Sequence, residues 1–214
     1  MEAAGKERDA GSGVAPVELV LFDLSGVLVH FRGAEQLRDW IGAASEEEAW
    51  KVWLDSEWMR RYDAGLCSAE EFASGAVGDW GLPIGPEEFL ANFRDWLIGP
   101  YPGAEQLVRD VTRRTRVGCL SNMSALHWED VISHWPLVAP MDPRLVSYQL
   151  GLTKPDRAIF EYAIKAIEPA PGAVLFLDDN LVNVEAALAC GFQAERVLGV
   201  AGATAALSAH GLLG

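Results

Sequence analysis

Residues 17–28 read VELVLFDLSGVL and carry the clearest structural pattern in the chain. Within them, residues 17–22 form a short, mostly apolar run that ends abruptly at Asp23. Runs of this kind are typical of strands that are buried on both faces of a parallel sheet. We therefore expect a buried strand here, with the carboxylate of Asp23 at its carboxyl end.

Comparable runs further along the chain extend this pattern into a sheet. Residues 116–120 end at Ser121, and residues 173–177 end at Asp178. Strands that alternate with helices imply right-handed crossovers and a three-layer α/β fold. Weaker strand candidates lie at residues 144–148 and 195–198, and the intervening helices are expected at residues 103–114, 156–167 and 183–190.

The segment 32–100 breaks this alternation and reads as successive helices without a convincing strand. Ser68 and Glu71 form a capping box, and Pro86 opens a further helix. Six of the eight tryptophans lie here, and we expect them to form the core of this segment rather than an aromatic substrate cage. The predicted organisation is a disordered tail at residues 1–15, a core domain at residues 16–31 and 101–214, and an all-helical cap domain at residues 32–100.

Composition limits the possible functions. The 214 residues are 50% hydrophobic, enough for a core without disulfide or metal support. The net charge of −14 disfavours binding to nucleic acid or to an anionic membrane surface. Three cysteines without CxxC spacing favour a reducing compartment, and residues 1–13 lack the apolar core of a signal peptide. With no apolar run long enough to span a membrane, we expect a cytoplasmic protein.

Reactive side chains follow the predicted strands. Asp23, Ser121 and the pair Asp178 and Asp179 stand at carboxyl ends, the edge where open α/β sheets bind ligands. Lys154 lies in a turn just before a helix and can reach the same edge. Carboxylate oxygens suit Mg²⁺, and an ammonium neutralises phosphoryl oxygens. This set of residues predicts a magnesium and phosphate site.

These residues belong to four ordered motifs that resemble those of the haloacid dehalogenase-like hydrolase superfamily. The resemblance spans residues 17–199, and the segment 32–100 is similar to the four-helix cap that this family places between its first and second motifs. It implies a Rossmann-like parallel sheet core with an inserted helical cap, acting on a small phosphorylated metabolite. The motifs are Asp23 to Leu28, Leu120 to Asn122, Gly151 to Asp156 and Leu177 to Asn180.

The resemblance also implies roles in phosphoryl transfer. Asp23 is the expected nucleophile, which attacks phosphorus to form an aspartyl-phosphate. Ser121 and the backbone of Asn122 are expected to hold the phosphoryl oxygens. Lys154 is expected to clamp the phosphate and to keep Asp23 ionised.

A magnesium ion is the cofactor that the resemblance implies. Asp179 and Asp23 are expected to bind it directly, together with the backbone carbonyl of Ser25. Asp178 is expected to act mainly through a metal-bound water. The ion shields the negative charges as one anion approaches another.

Ser25 departs from the pattern of family phosphatases, which usually carry a second aspartate two residues after the nucleophile. That aspartate protonates the leaving oxygen and then activates water. A serine hydroxyl cannot act as an acid at neutral pH, and general acid–base catalysis is worth about 10²–10⁴ in rate. Its loss raises the barrier by about 3–5 kcal/mol.

Three interpretations of Ser25 remain open at this point. The first is a phosphatase that is slow, limited to good leaving groups, or served by another acid. The second is other family chemistry, such as dehalogenation, although dehalogenases carry tyrosine at this place. The third is a non-enzymatic or regulatory binding module that has lost turnover.

The residues that select the substrate are not identified by the sequence. Arg60, Arg61 and Tyr62 precede the cap turn at residues 63–65 and face either the mouth of the site or solvent. The identity of the phosphate ester and the oligomeric state leave no pattern in the sequence.

Overall fold

Two β-sheets are present in the computed structural model, which describes residues 15–214. The expected disordered tail at residues 1–15 lies outside the described residues, apart from Ala15. The strands are β1 Leu19–Phe22, β2 Val29–Phe31, β3 Leu97–Pro100, β4 Arg116–Ser121, β5 Arg144–Val146, β6 Val174–Asp178 and β7 Gln193–Arg196.

The helices follow the strands of the core and fill the segment between β2 and β3. Short 3-10 turns occur at Ile132–His134, Pro136–Val138 and Pro171–Ala173. The α-helices are α1 Gly33–Ile41, α2 Glu46–Asp55, α3 Glu57–Asp63, α4 Ala69–Trp80, α5 Pro86–Arg94, α6 Ala104–Thr112, α7 Ala125–Asp130, α8 Ser147–Leu150, α9 Arg157–Ala166, α10 Leu181–Ala189 and α11 Gly199–Ala209.

The main sheet is parallel and has the strand order β5-β4-β1-β6-β7. The predicted α/β fold is therefore confirmed, and β1 is the central strand. In its register Phe22 lies beside Cys119 on one side and Leu177 on the other. The side chains that follow these three strands consequently emerge at one edge of the sheet.

Helices cover both faces of this sheet and complete the three layers. Helices α6 and α11 pack on one face, and their buried side chains join the even-numbered residues of β1 in one hydrophobic cluster. Helices α9 and α10 cover the opposite face. The four residues of β1 are fully buried, as expected of a central strand.

The segment 32–100 holds helices α1 to α5, but its last residues form a strand. The expectation of no strand here is wrong for β3, which pairs with β2 in an antiparallel ribbon. Ile98, Gly99 and Pro100 have no strand-like alternation, so this pairing is set by the contact with β2 rather than by local preference. The ribbon connects the helical segment to the core.

Aromatic side chains form the interior of these five helices. Trp53 and Trp96 are buried with ring centroids 5.1 Å apart, and the other tryptophans of the segment are partly buried against them. This confirms that the tryptophans form a core. The capping box also forms, because Ser68 Oγ accepts from the Glu71 amide and the Glu71 carboxylate accepts from the Ser68 amide. Within residues 15–214, no helix has the length and apolar character needed to cross a bilayer.

Candidate active site

Asp23 lies at the carboxyl end of the central strand. Its amide donates to the carbonyl oxygen of Leu177 at 2.8 Å, which continues the ladder with β6 and holds the residue in place. Its carboxylate oxygen Oδ1 accepts from Ser121 Oγ at 2.6 Å and lies 3.0 Å from Lys154 Nζ. The predicted nucleophile, hydroxyl and ammonium are thus brought into direct contact.

Lys154 reaches the sheet edge from the loop between α8 and α9. The Asn122 side chain holds the backbone of Lys154 on both sides: its Nδ2 donates to the Lys154 carbonyl at 2.9 Å, and its Oδ1 accepts from the Lys154 amide at 2.8 Å. The Lys154 side chain is almost fully buried. Asn122, expected to act through its backbone, therefore also positions the lysine through its side chain.

The Asp178 carboxylate is fully occupied by partners within the protein. Lys154 Nζ lies 2.6 Å from its Oδ2, and the Asn180 amide donates to its Oδ1 at 2.8 Å. Asn183 Nδ2 lies 3.0 Å from both oxygens. These contacts leave the Asp178 carboxylate little capacity for direct metal coordination. Asn183 was not predicted; its place on the first turn of α10, five residues after Asp178, is the signal that could have identified it.

Asp179 is placed by its packing against Gly26 in the turn that follows Asp23. Gly26 has a φ of +77°, which favours glycine, and a Cβ atom there would lie 2.6 Å from Asp179 Cγ, so a larger residue would displace this carboxylate. The same turn carries Ser25, which is half-buried beside this contact. The first and fourth motifs are therefore in contact through a glycine backbone and a carboxylate.

The pKa values of Asp23, Asp179 and Lys154 are shifted because three carboxyl groups lie close to one another and to a single ammonium group. Burial raises the pKa of Asp23 against the effect of Lys154, and Asp178 raises it further. Burial, together with Asp23 and Asp178, raises the pKa of Asp179 to about 7. Burial disfavours the Lys154 ammonium, but Asp178 and Asp23 outweigh it and raise the pKa of the lysine.

The acidic residues fit a divalent cation. Oxygens of Asp23, Asp178 and Asp179 all lie within 4.8 Å of one another. Lys154 pairs with the first two, whereas Asp179 has no ion-pair partner within residues 15–214. Three carboxylates and one ammonium leave two negative charges, and hard oxygen donors suit Mg²⁺. A cation bound here would lower the carboxylate pKa values that the crowding raises.

The helical segment contacts the same edge through the turn after α3. Ser147 Oγ, on α8, donates to the carbonyl oxygen of Asp63 at 2.5 Å. Arg61 lies over the Trp58 ring at 4.9 Å, and Tyr62 stacks on Phe72 at 4.4 Å, so these two side chains pack within the helical segment. Arg60 is exposed.

Asp63 is the carboxyl-bearing residue of this turn. Burial, with the negative charge of Asp23, raises the pKa of Asp63 to about 7, and Lys154 opposes the rise. The sequence indicated the turn but gave no reason to single out Asp63. Its position at the end of a helix, just before Gly65, is the only local signal.

The curated proteins that are similar to this chain include one enzyme whose activity is named. A D-ribitol-5-phosphate phosphatase from Bacteroides thetaiotaomicron is 25% identical over 189 residues, which are 83% of this chain and 90% of that protein. Among solved structures, a HAD family enzyme from the same organism, in complex with magnesium and inorganic phosphate, is 24% identical with a TM-score of 0.66. That match covers 85% of this chain and 94% of the other.

A second solved structure shares the fold but has a different named chemistry. The L-2-haloacid dehalogenase of Xanthobacter autotrophicus is 20% identical, with a TM-score of 0.63 over 90% of this chain and 83% of its own. At these identities both structures show the fold alone. The family model for haloacid dehalogenase-like hydrolases, in contrast, matches residues 17–191, most of the chain, and includes all four motifs. The chain therefore belongs to the haloacid dehalogenase-like hydrolase family.

Proposed function

We propose that this chain is a Mg²⁺-dependent phosphatase that hydrolyses a small phosphorylated metabolite. The observation that carries the proposal is the contact of Asp23 with both Ser121 and Lys154, beside the acidic pair Asp178 and Asp179. One hydroxyl and one ammonium directed at a carboxylate provide a nucleophile with donors for phosphoryl oxygens around it. The named activity of the Bacteroides thetaiotaomicron relative supports a sugar or sugar-alcohol phosphate as substrate.

In the proposed reaction, a carboxylate oxygen of Asp23 attacks phosphorus and the bond to the ester oxygen breaks. Ser121, the Asn122 backbone and Lys154 hold the phosphoryl oxygens as negative charge moves between them. Lys154 also favours the ionised form of Asp23, against the burial that raises the pKa of this carboxyl. Water then cleaves the aspartyl-phosphate, which releases phosphate and restores the carboxylate.

The residues that would hold Mg²⁺ are Asp23, Asp179 and the backbone carbonyl of Ser25, with Asp178 acting through water. When bound, the ion neutralises charge between the carboxylates and the phosphate. The two uncompensated negative charges of this cluster support the assignment.

The proposed organisation is a core at residues 16–31 and 101–214 and a cap at residues 32–100. Its support is that α1 to α5 share an aromatic core of their own and join the sheet domain through the β2–β3 ribbon. A cap that opens and closes would admit substrate and then exclude water. The proposed location is the cytoplasm, in keeping with three unpaired cysteines.

The test is phosphate release from a panel of sugar, sugar-alcohol and aryl phosphates, with Mg²⁺ and with EDTA. We expect release only with Mg²⁺. Asp23→Asn should abolish it, whereas Asp55→Asn, at an exposed position on α2, should not change it. No release from any ester by the wild-type protein would contradict the proposal. Phosphate binding without turnover would instead favour a binding module, and halide release from 2-haloacids would favour dehalogenation.

A further inference from the structure

The groups at this edge of the sheet leave no acid free to protonate a leaving group once Asp179, which has no ion-pair partner of its own within residues 15–214, is taken up by the proposed Mg²⁺. Ser25 carries a hydroxyl where family phosphatases usually carry the second aspartate. The Ser121 hydroxyl already donates to Asp23, and the Lys154 ammonium is held between Asp23 and Asp178. The proton that the ester oxygen needs must therefore come from outside these motifs.

Asp63 is held over this edge by its own backbone. It is the last residue of α3, and its carbonyl oxygen accepts from Ser147 Oγ. Ser147 is fully buried, and its Oγ also accepts from the amide of Met123, just beyond β4. Two residues further along, Gly65 approaches the Tyr148 carbonyl so closely that a Cβ atom would overlap with that oxygen. The turn is thus docked on the core at two points.

The Asp63 carboxyl belongs to a turn that is docked beside the carboxyl ends of β4 and β5, and the fold itself does not use it. Within residues 15–214 it forms no ion pair and no side-chain hydrogen bond, whereas Asp178 has several partners. Burial and the negative charge of Asp23 raise the pKa of Asp63 to about 7, although Lys154 opposes the rise. A carboxyl with such a pKa exists in both protonation states near neutral pH, as an acid–base catalyst requires.

We propose that Asp63, a residue of the helical segment, is the general acid and base of this site and performs the task that Ser25 cannot. The inference rests on the proposed phosphatase function. As a carboxylate oxygen of Asp23 bonds to phosphorus and the ester bond breaks, the Asp63 proton passes to the departing oxygen, which leaves as an alcohol. The Asp63 carboxylate then takes a proton from water, whose oxygen attacks phosphorus. The phosphorus–Asp23 bond breaks, its electron pair returns to Asp23, and phosphate leaves.

Asp63→Asn is the variant that tests this role. Asparagine keeps the shape of the side chain, and the backbone carbonyl that accepts from Ser147 is unchanged. Asp79→Asn is the matched control, because Asp79 is an exposed carboxylate on α4 of the same helical segment. Thermal unfolding of each variant checks the fold. If Asp63→Asn does not fold, Asp63→Ser enters the same assays with the same expected results.

Two substrates separate catalysis from structure. D-ribitol 5-phosphate, an alkyl ester, needs a protonated leaving group, whereas p-nitrophenyl phosphate releases a stable phenolate without one. For Asp63→Asn we expect kcat on the alkyl ester to fall by about 10²–10⁴-fold. With p-nitrophenyl phosphate we expect a burst of nearly one phenolate per enzyme and then slow turnover, because the first step no longer needs the acid but the second still needs the base. Mass spectrometry of the intact protein should then show phosphorylated Asp23.

Several outcomes would overturn the inference. An unchanged rate on the alkyl ester in Asp63→Asn would show that another group supplies the proton. If kcat of Asp63→Asn falls equally on both esters and no burst occurs, Asp63 has only a structural role. If kcat of Asp79→Asn falls by the same factors, the cause is the loss of a negative charge anywhere on the helical segment. In these cases wild-type activity remains and the proposed function stands. A wild-type protein inactive on every ester would remove both the function and the inference.

Discussion

Gly26→Ala should strain the backbone of its turn and also displace the Asp179 carboxylate, and these two effects can be measured separately. Gly26 has a φ of +77°, a conformation that costs an L-residue about 1–2 kcal/mol. The new Cβ would also lie 2.6 Å from Asp179 Cγ, whereas ordinary contacts begin near 3.4 Å. The Asp179 carboxylate must therefore retreat by about 1 Å to reach normal carbon–carbon separation.

A retreat of that size should impair metal binding more than folding. Displacing a group in a metal site or its supporting shell typically weakens metal affinity by about 10–100-fold. A displacement of about 1 Å can cost about 10²-fold in rate. We therefore expect Gly26→Ala to lose about 1–2 kcal/mol of unfolding free energy, about 10–100-fold in Mg²⁺ affinity and a comparable factor in kcat.

Gly211→Ala is the matched control, because Gly211 has a φ of +70° and no heavy atom near its Cβ position. Urea unfolding without Mg²⁺ should show similar losses for both variants. Isothermal titration with Mg²⁺ in the presence of inorganic phosphate should show weakened binding only for Gly26→Ala. Wild-type Mg²⁺ affinity in Gly26→Ala would refute the proposed contact between the glycine and the metal-binding carboxylate, and so would an equal loss of affinity in Gly211→Ala.

Two further substitutions test the buried charges. Lys154→Met should destabilise the metal-free protein by about 3–5 kcal/mol in urea unfolding, because Asp23 and Asp178 lose their buried ion-pair partner. His127→Gln should remove a pH dependence of the unfolding free energy. Burial lowers the pKa of His127 to about 4, from 6.5 in the unfolded chain. The contribution of neutral His127 to the wild-type unfolding free energy is therefore complete above pH 6.5, and up to about 3 kcal/mol of it is lost as the pH falls towards 4. Glutamine can still donate to the Phe93 carbonyl, as His127 Nε2 does at 2.7 Å.

Exposed residues of the same types provide the controls for both substitutions. Lys165 and His134 lie at exposed positions outside the helical segment. Lys165→Met and His134→Gln should therefore leave the unfolding free energy within about 0.5 kcal/mol of the wild-type value. If Lys154→Met is no less stable than Lys165→Met, the ion pairs do not support the fold. If His127→Gln shows the same loss between pH 6.5 and 4 as the wild type, another group causes it.

The sheet and the motif residues could be predicted because their signals are local in the sequence. A strand buried on both faces must be apolar throughout, so residues 17–22, 116–120 and 173–177 were recognisable without any partner. Parallel strands place their carboxyl ends at one edge, and Asp23, Ser121 and the two aspartates at the end of β6 meet there as expected. The weak candidate at residues 195–198 was displaced by two residues, because β7 is an edge strand with a weak apolar pattern.

Contacts between segments remote in the sequence escaped prediction. β3 becomes a strand only because β2 lies beside it, and Asn183 acts only because the first turn of α10 faces back onto Asp178. The docking of Asp63 on Ser147 joins residues 84 positions apart. The conformational preferences of short segments do not encode contacts between residues so far apart in the sequence.

The amino-acid sequence alone therefore determined the layered α/β architecture, the helical insert and the identity of the groups along the sheet edge. Hydrophobic periodicity, helix-capping residues and polar residues at strand ends are properties of short segments, so they can be recognised without knowledge of the fold. The three-dimensional packing determined which oxygen faces which nitrogen, how burial and crowding move the carboxylate pKa values, and that the turn after α3 docks on Ser147. Those properties depend on distances of a few ångströms between chain segments, which exist only once the helices and strands have packed together.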